Sequence, residues 1–320
     1  MKVDEIKNIS VLGAGIMGHG IAQAFLMGGY PVKLYDIQDS ILDTARSHIQ
    51  EGLRLFHDAG LIKKRDIGPA IETLTLTTDL SKAVKGADFV VEAVPENLVL
   101  KQALFEKLEP MVRKKTIIAS NTSSLTLAGI GERVNNKGRL VITHWFNPPH
   151  IVPTVEVVKG EDTTEATADV AVALLKRIRK VPVKINQDIP GFLVNRVQMA
   201  MIREVWDLHE KGVASAEDID KAIKGSMGFR LASIGPLLTA DLGGLDLWLN
   251  VFENLAPKIR STKATPRGVK RMVSQGHRGI KSGKGFYDYA VDFSEGGLDE
   301  AVRKRDREFL KRLKDLYWTE

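Results

Sequence analysis

Residues 9–36 read ISVLGAGIMGHGIAQAFLMGGYPVKLYD, and their order decides the fold. An apolar run, Ile9 to Leu12, meets Gly13-Ala14-Gly15-Ile16-Met17-Gly18. A helical pattern follows, then a second β-like run, Val32 to Tyr35, closed by Asp36. Strand, glycine turn, helix, strand and acid in this order make a dinucleotide-binding βαβ unit. Gly13 permits the tight turn, Gly15 lets the backbone approach a pyrophosphate, and Gly18 lets helix and strand pack closely. Ile16 and Met17 complete the turn, and the helix start offers free N–H groups and partial positive charge to phosphates. Asp36 lies 23 residues after Gly13, at the end of the second strand. A carboxylate there accepts bonds from ribose hydroxyls and repels a 2′-phosphate, so NAD rather than NADP is the expected cofactor.

The 320 residues, 43% hydrophobic and 27% charged, are enough for two globular domains. The start, MKVDEIKN, runs straight into the first strand, without a signal peptide's apolar core or room for a transit peptide. No apolar run approaches a membrane span, so a cytoplasmic protein without a membrane partner is expected. With no cysteine there is no disulfide, thiolate metal site or cysteine nucleophile, and no metal is expected. The net charge of +6 is spread along the chain and suits an anionic cofactor or substrate. No nucleic-acid-binding motif accompanies it, so the expected partner is a small molecule.

Beyond Asp36, Ser40 to about Leu61 reads as a helix that breaks at Gly60 and runs into Lys63-Lys64-Arg65. That basic triplet is either a solvated helix end or a landing site for a phosphate-bearing substrate. Strand-like runs at Thr73–Thr77, Phe89–Ala93, Thr116–Ala119, Leu140–Thr143, Thr154–Val158 and Val181–Ile185 alternate with helical patterns. Polar strand ends at 95–97 and 120–124 fall where a doubly wound sheet binds ligands, although the serine cluster also suits helix capping. A boundary is expected near Asp188-Ile189-Pro190-Gly191. Afterwards the chain reads as helices at about 192–211, 215–224, 236–256 and 264–275. The end, Gly297–Tyr317, carries an apolar stripe at Leu298, Val302, Phe309, Leu310, Leu313 and Tyr317, expected to pack on the body or on a second subunit. The fold class is α/β: a Rossmann-type doubly wound sheet over 1–188, followed by an all-α C-terminal domain over 189–320.

An NAD enzyme that oxidises an alcohol needs a base for the hydroxyl proton, and histidine suits it because its pKa lies near neutral. Of the seven histidines, His48, His57 and His209 fall inside predicted helices and His19 in the phosphate-binding turn. His144 ends a strand on the ligand side, and Glu156 lies on a strand able to return beside it. Such a carboxylate orients the ring through one nitrogen and leaves the other for substrate; the alternative is that His144 is a satisfied structural histidine.

Taken together, VLGAGIMGHGIA, VVEAVPENLVLK, SNTSSL, HWFNPP with downstream VEVV, DIPGFLVNR, the GP and GGLD pieces, and KSGKGFYDY resemble the L-3-hydroxyacyl-CoA dehydrogenase family over nearly all of the chain to Tyr289. The resemblance implies that His144 is the catalytic base and Glu156 its paired carboxylate. It implies that Ser123 and Asn195 hold the reacting oxygen or the substrate, and that Asn147 positions cofactor and substrate. It also implies cofactor contacts at Glu96, Lys101 and Lys281, and a homodimer joined through the helical domain. One segment departs from the pattern: Met227-Gly228-Phe229-Arg230-Leu231-Ala232-Ser233-Ile234-Gly235-Pro236. Its arginine resembles relatives acting on free hydroxy acids, such as L-gulonate 3-dehydrogenase and carnitine dehydrogenase. Arg230 either clamps a free carboxylate or makes an ordinary salt bridge. The leading expectation is a short 3-hydroxyacyl-CoA such as 3-hydroxybutyryl-CoA, with Lys63 and Lys64 at the phosphate. The alternatives are a free 3-hydroxy acid gripped by Arg230, and a non-catalytic NAD-binding protein.

Overall fold

A computed structural model describes residues 1–289 and 297–318. Eight strands form one sheet: β1 (Ile9–Leu12), β2 (Val32–Tyr35), β3 (Leu74–Thr77), β4 (Phe89–Glu92), β5 (Ile117–Ser120), β6 (Leu140–Trp145), β7 (Thr154–Val158) and β8 (Val181–Ile185). Their spatial order is β3-β2-β1-β4-β5-β6-β7-β8. Neighbours are parallel except β6 and β7, which run antiparallel with His144 directly opposite Glu156. Strands β1, β4, β5 and β6 are buried along their whole length, as parallel strands covered on both faces must be.

Seven helices belong to the same part: α1 (Gly18–Met27), α2 (Asp39–Asp58), α3 (Ile67–Glu72), α4 (Leu80–Val84), α5 (Leu98–Leu108), α6 (Leu127–Ile130) and α7 (Glu165–Arg177). Alternate strand residues face two separate cores. Val11, Phe89 and Val91 join Phe25, Leu53, Trp145 and Leu174, whereas Leu12 and Val90 join Phe105, Leu108 and Ile130. The Asn97 side chain accepts the Leu100 N–H and starts α5.

The chain divides into two compact units, Met1–Leu193 with Asp306–Glu320, and Val194–Arg305. The boundary therefore lies beyond Asp188, and the C-terminal residues leave the second unit. The reasons are local. Asp188 Oδ2 accepts the Leu127 N–H at 2.5 Å, Phe192 is 1% exposed within the sheet's core, and the Leu193 N–H is bonded to Glu156.

The second unit holds α8 (Val194–Glu210), α9 (Ala216–Ile223), α10 (Phe229–Ser233), α11 (Pro236–Gly243), α12 (Leu245–Leu255) and α13 (Arg267–Ser274). The single helix expected over 236–256 is broken because Gly244 adopts φ +87°, a left-handed conformation that glycine tolerates and a helix interior does not. The final helix, α14 (Gly297–Tyr317), brings Leu310 and Leu313 into a small core with Phe56 and Ile151. Only those two of the expected stripe are buried; Val302, Phe309 and Tyr317 are exposed, and the side chain of Leu298 lies outside the described residues.

Candidate active site

The glycine turn is held from both sides. The Gly13 N–H donates to Tyr35 O at 2.8 Å, and Gly13 has φ +97°. A Cβ there would lie 2.5 Å from Ala93 O, and one at Gly18 would lie 1.7 Å from Gly13 O. A Cβ at Gly15, by contrast, would meet no protein atom within 4 Å. Two glycines are therefore demanded by the fold itself. The third leaves backbone open to close approach by a pyrophosphate, so the turn fits a dinucleotide. Ile16 is 68% exposed beside it, and Met17 directly precedes α1.

Asp36 does more than the sequence suggests. Its Oδ2 accepts the Ala14 N–H and its Oδ1 the Ile37 N–H, both at 2.8 Å. The carboxylate thus ties the end of β2 to the glycine turn, and its remaining lone pairs are available to ribose hydroxyls.

At the ends of β4 and β5 lies a second polar network. Glu96 Oε1 accepts the Thr122 hydroxyl at 2.6 Å, the Ser123 N–H at 3.0 Å, and both the N–H and the hydroxyl of Ser124. Burial pushes the Glu96 carboxyl up, but these bonds and Lys101 outweigh it and hold the group below the usual carboxylate range. Half-buried Ser123 is thereby fixed through its backbone.

Lys101, expected as a cofactor contact, is 1% exposed. Its Nζ donates to Glu92 Oε1 at 2.6 Å and to Val94 O at 3.3 Å, and lies 3.3 Å from Glu96 Oε2. A buried ammonium committed to two carboxylates is not free to meet a ligand, and its place is behind Glu96. Glu92 went unremarked in the sequence although it is a carboxylate inside a fully buried strand. Burial pushes its carboxyl up, opposed by Lys101, the Ser120 hydroxyl and the Val94 N–H.

The cross-strand pairing of β6 with β7 brings His144 and Glu156 together. His144 Nδ1 lies 2.7 Å from Glu156 Oε2, with His144 5% and Glu156 0% exposed. An ionised carboxylate only accepts, so the ring proton sits on Nδ1 and Nε2 carries the lone pair. Glu156 Oε1 accepts the Leu193 N–H at 3.1 Å. The rings of Phe146 and Phe192 pack on the imidazole at centroid distances of 4.6 and 5.4 Å. Asn147 follows on the loop after β6 and is exposed.

Lys63 and Lys64 are exposed ahead of α3, immediately after Ile62, which packs with Phe56 and the C-terminal helix. In the second unit, half-buried Asn195 lies in the first turn of α8, Arg230 is exposed on α10, and Lys281 is exposed in the short turn Ile280–Ser282. Among the described residues there is no group of three metal-ligating side chains and no helix long and apolar enough to cross a membrane.

Two family models match the chain: the NAD-binding domain of 3-hydroxyacyl-CoA dehydrogenase over residues 8–189 and its C-terminal domain over residues 191–289. The chain is 33% identical to 5-formyl-3-hydroxy-2-methylpyridine 4-carboxylate 5-dehydrogenase of Mesorhizobium japonicum, over 93% of this chain and 96% of that protein. It is 35% identical to the mitochondrial hydroxyacyl-coenzyme A dehydrogenase of Mus musculus, over 89% of this chain and 91% of that one. A crystal structure of a 5-formyl-3-hydroxy-2-methylpyridine 4-carboxylic acid 5-dehydrogenase superposes with a TM-score of 0.89 at 32% identity, covering 98% of this chain and 100% of that one. That last alignment takes in most of the chain beyond residue 289, where the family models stop. The chain is a member of the 3-hydroxyacyl-CoA dehydrogenase family, an NAD-dependent oxidoreductase.

Proposed function

We propose that this chain oxidises a hydroxyl group of a small hydroxy acid, with His144 as the base. The observation that carries the reading is the buried His144–Glu156 pair on adjoining strands. Glu156 holds the Nδ1 proton, so Nε2 is the atom that takes the hydroxyl proton, and the carboxylate then stabilises the imidazolium. NAD bound at the glycine turn supplies the hydride acceptor. In the reverse direction the imidazolium returns its proton to the new alkoxide oxygen. Ser123 and Asn195 are proposed to hold the reacting oxygen, Asn147 and Glu96 to position the cofactor, and Lys281 to contact it. Lys101 acts in this scheme through Glu96.

The free acid is the favoured substrate class because one whole-length likeness, at a TM-score of 0.89, is to an enzyme named for a pyridine carboxylate, against 0.66 for a 3-hydroxyacyl-CoA dehydrogenase of Archaeoglobus fulgidus that also spans 97% of this chain. Arg230 is the candidate for gripping the carboxylate, as the side chain best matched to it. The second reading, an acyl-CoA substrate, is favoured by the 35% identity to a hydroxyacyl-coenzyme A dehydrogenase and by the exposed Lys63 and Lys64. Pairing of two copies through the helical unit belongs to the proposal as well. Phe229, Leu237, Leu242 and Phe252 are 66–82% exposed, more apolar surface than a lone soluble unit ordinarily shows.

The deciding assay follows NADH formation with free 3-hydroxybutyrate, L-gulonate and aromatic hydroxy acids beside 3-hydroxybutyryl-CoA, on the native chain and on Arg230→Ala. Turnover of a free acid is expected, falling roughly 10- to 100-fold with Arg230→Ala, the worth of a charged hydrogen bond. Fast turnover of the thioester alone, indifferent to Arg230, would replace the first reading with the second. Bound NADH without turnover of either class would overturn both.

A further inference from the structure

Lys180 lies between α7 and β8, just after Arg179, and is 7% exposed. Its ammonium has three N–H donors and three acceptors, all backbone carbonyls of one loop. Nζ lies 2.7 Å from Pro149 O, 2.8 Å from Val152 O and 3.2 Å from His150 O. It also stands 5.5 Å over the ring of Trp145, the last residue of β6. No carboxylate pairs with it among the described residues. Burial pushes this lysine down to about 7, so the three-donor ammonium is the form held below that pH.

The loop it holds is the one that follows His144. At its start the Trp145 N–H donates to Asn121 Oδ1 at 2.9 Å, and Asn147 comes next but one. Its far side presses on α1. A Cβ built at Gly20 would lie 2.7 Å from Pro149 Cγ and 2.8 Å from His150 Nδ1. The loop therefore sits between the lysine and the helix that follows the glycine turn, with no slack of even a methyl group on the helix side.

We propose that Lys180 is a positioning residue for the cofactor, its ammonium holding the 147–152 loop against α1 so that the helix start and Asn147 keep their places. The inference rests on the reading of Asn147 given above, and on NAD lying at the glycine turn. Lysine fits the task because a single compact ammonium reaches three carbonyls that point at one spot. An apolar side chain of similar length leaves all three without that partner and frees the loop to shift.

The test measures NADH affinity by fluorescence on Lys180→Met and Lys180→Gln, at a temperature where circular dichroism shows both folded. Leu174→Ala serves as the control, because it weakens the core of the same unit on α7 without being one of the loop's ammonium contacts. The expected result is affinity weakened roughly tenfold or more in Lys180→Met, partly recovered in Lys180→Gln, and unchanged in Leu174→Ala. If Lys180→Met does not fold, Gly20→Ala displaces the same loop with the lysine intact and is expected to weaken NADH similarly. A folded Lys180→Met, or in its place a folded Gly20→Ala, that binds NADH like the native chain and only melts earlier would overturn the proposal. Because the readout is cofactor binding, a native chain that binds NADH but oxidises no hydroxy acid would sink the proposed reaction while still deciding the role of Lys180.

Discussion

Glu156 bonds through one oxygen to His144 Nδ1 and through the other to the Leu193 N–H, which together leave its carboxylate one orientation. Both partners are donors, so both carboxylate oxygens must accept. In Glu156→Gln one position becomes an NH2 that faces a donor, and either the imidazole turns or the Leu193 N–H loses its bond. A fall in kcat of about 100- to 10,000-fold is expected, the range for a misaligned general base, with NADH affinity within about twofold of native. Single-turnover hydride transfer measures the first and fluorescence titration the second. A kcat within tenfold of native would mean that the carboxylate does not orient the base. At this scale the sequence was readable where two residues face each other on adjoining strands. It was not readable for Lys101, whose spacing on a helix gives no sign that its ammonium turns back beneath Glu96 to reach Glu92.

At the scale of the βαβ unit, the three glycines separate structure from binding. Gly13→Ala places a side chain at φ +97° and against Ala93 O, and Gly18→Ala drives a Cβ into Gly13 O. Each should lower Tm markedly, since these neighbours are backbone and cannot swing aside. Gly15→Ala meets no protein atom, so its Tm should match the native value while NADH affinity drops roughly tenfold or more, because the added methyl occupies the approach of the pyrophosphate. Thermal melts with and without NADH check all three. A Gly15→Ala chain that keeps native affinity would move the phosphates elsewhere. The motif announced this element in the sequence, yet only the backbone geometry sorts its glycines into two kinds.

For the whole molecule, the informative piece is the C-terminal helix. Leu310 and Leu313 are 1% and 3% exposed, packed with Phe56 and Ile151. Trp318 beyond them packs at a tilt against Phe56, ring centroids 5.7 Å apart, and lies under the Arg179 guanidinium, 4.9 Å from its ring. Leu313→Ala should cost about 2–4 kcal/mol, the range for emptying a buried leucine site, which lowers Tm by several degrees in a chain of this size. Ending the chain at Tyr289 should cost more, because Phe56 and Ile151 then face water. Differential scanning calorimetry tests both, and an unchanged Tm in the truncated chain would show that the helix contributes nothing to the first unit.

The sequence by itself determined the order of strands and helices, the glycine turn with its acid, the family, and His144 and Glu156 as the candidate pair. These follow from local patterns, hydrophobic period, glycine spacing and motif order, whereas the antiparallel register that sets His144 opposite Glu156 belongs to the folded sheet. Tertiary structure alone decided that Lys101 is buried behind Glu96, that Asp36 braces the turn, that Lys180 gathers three carbonyls, and that the last helix returns to the first unit. Each of these depends on groups far apart along the chain meeting in a packed interior. Burial, rather than residue type or spacing, then settles whether a charged side chain serves a ligand or the fold.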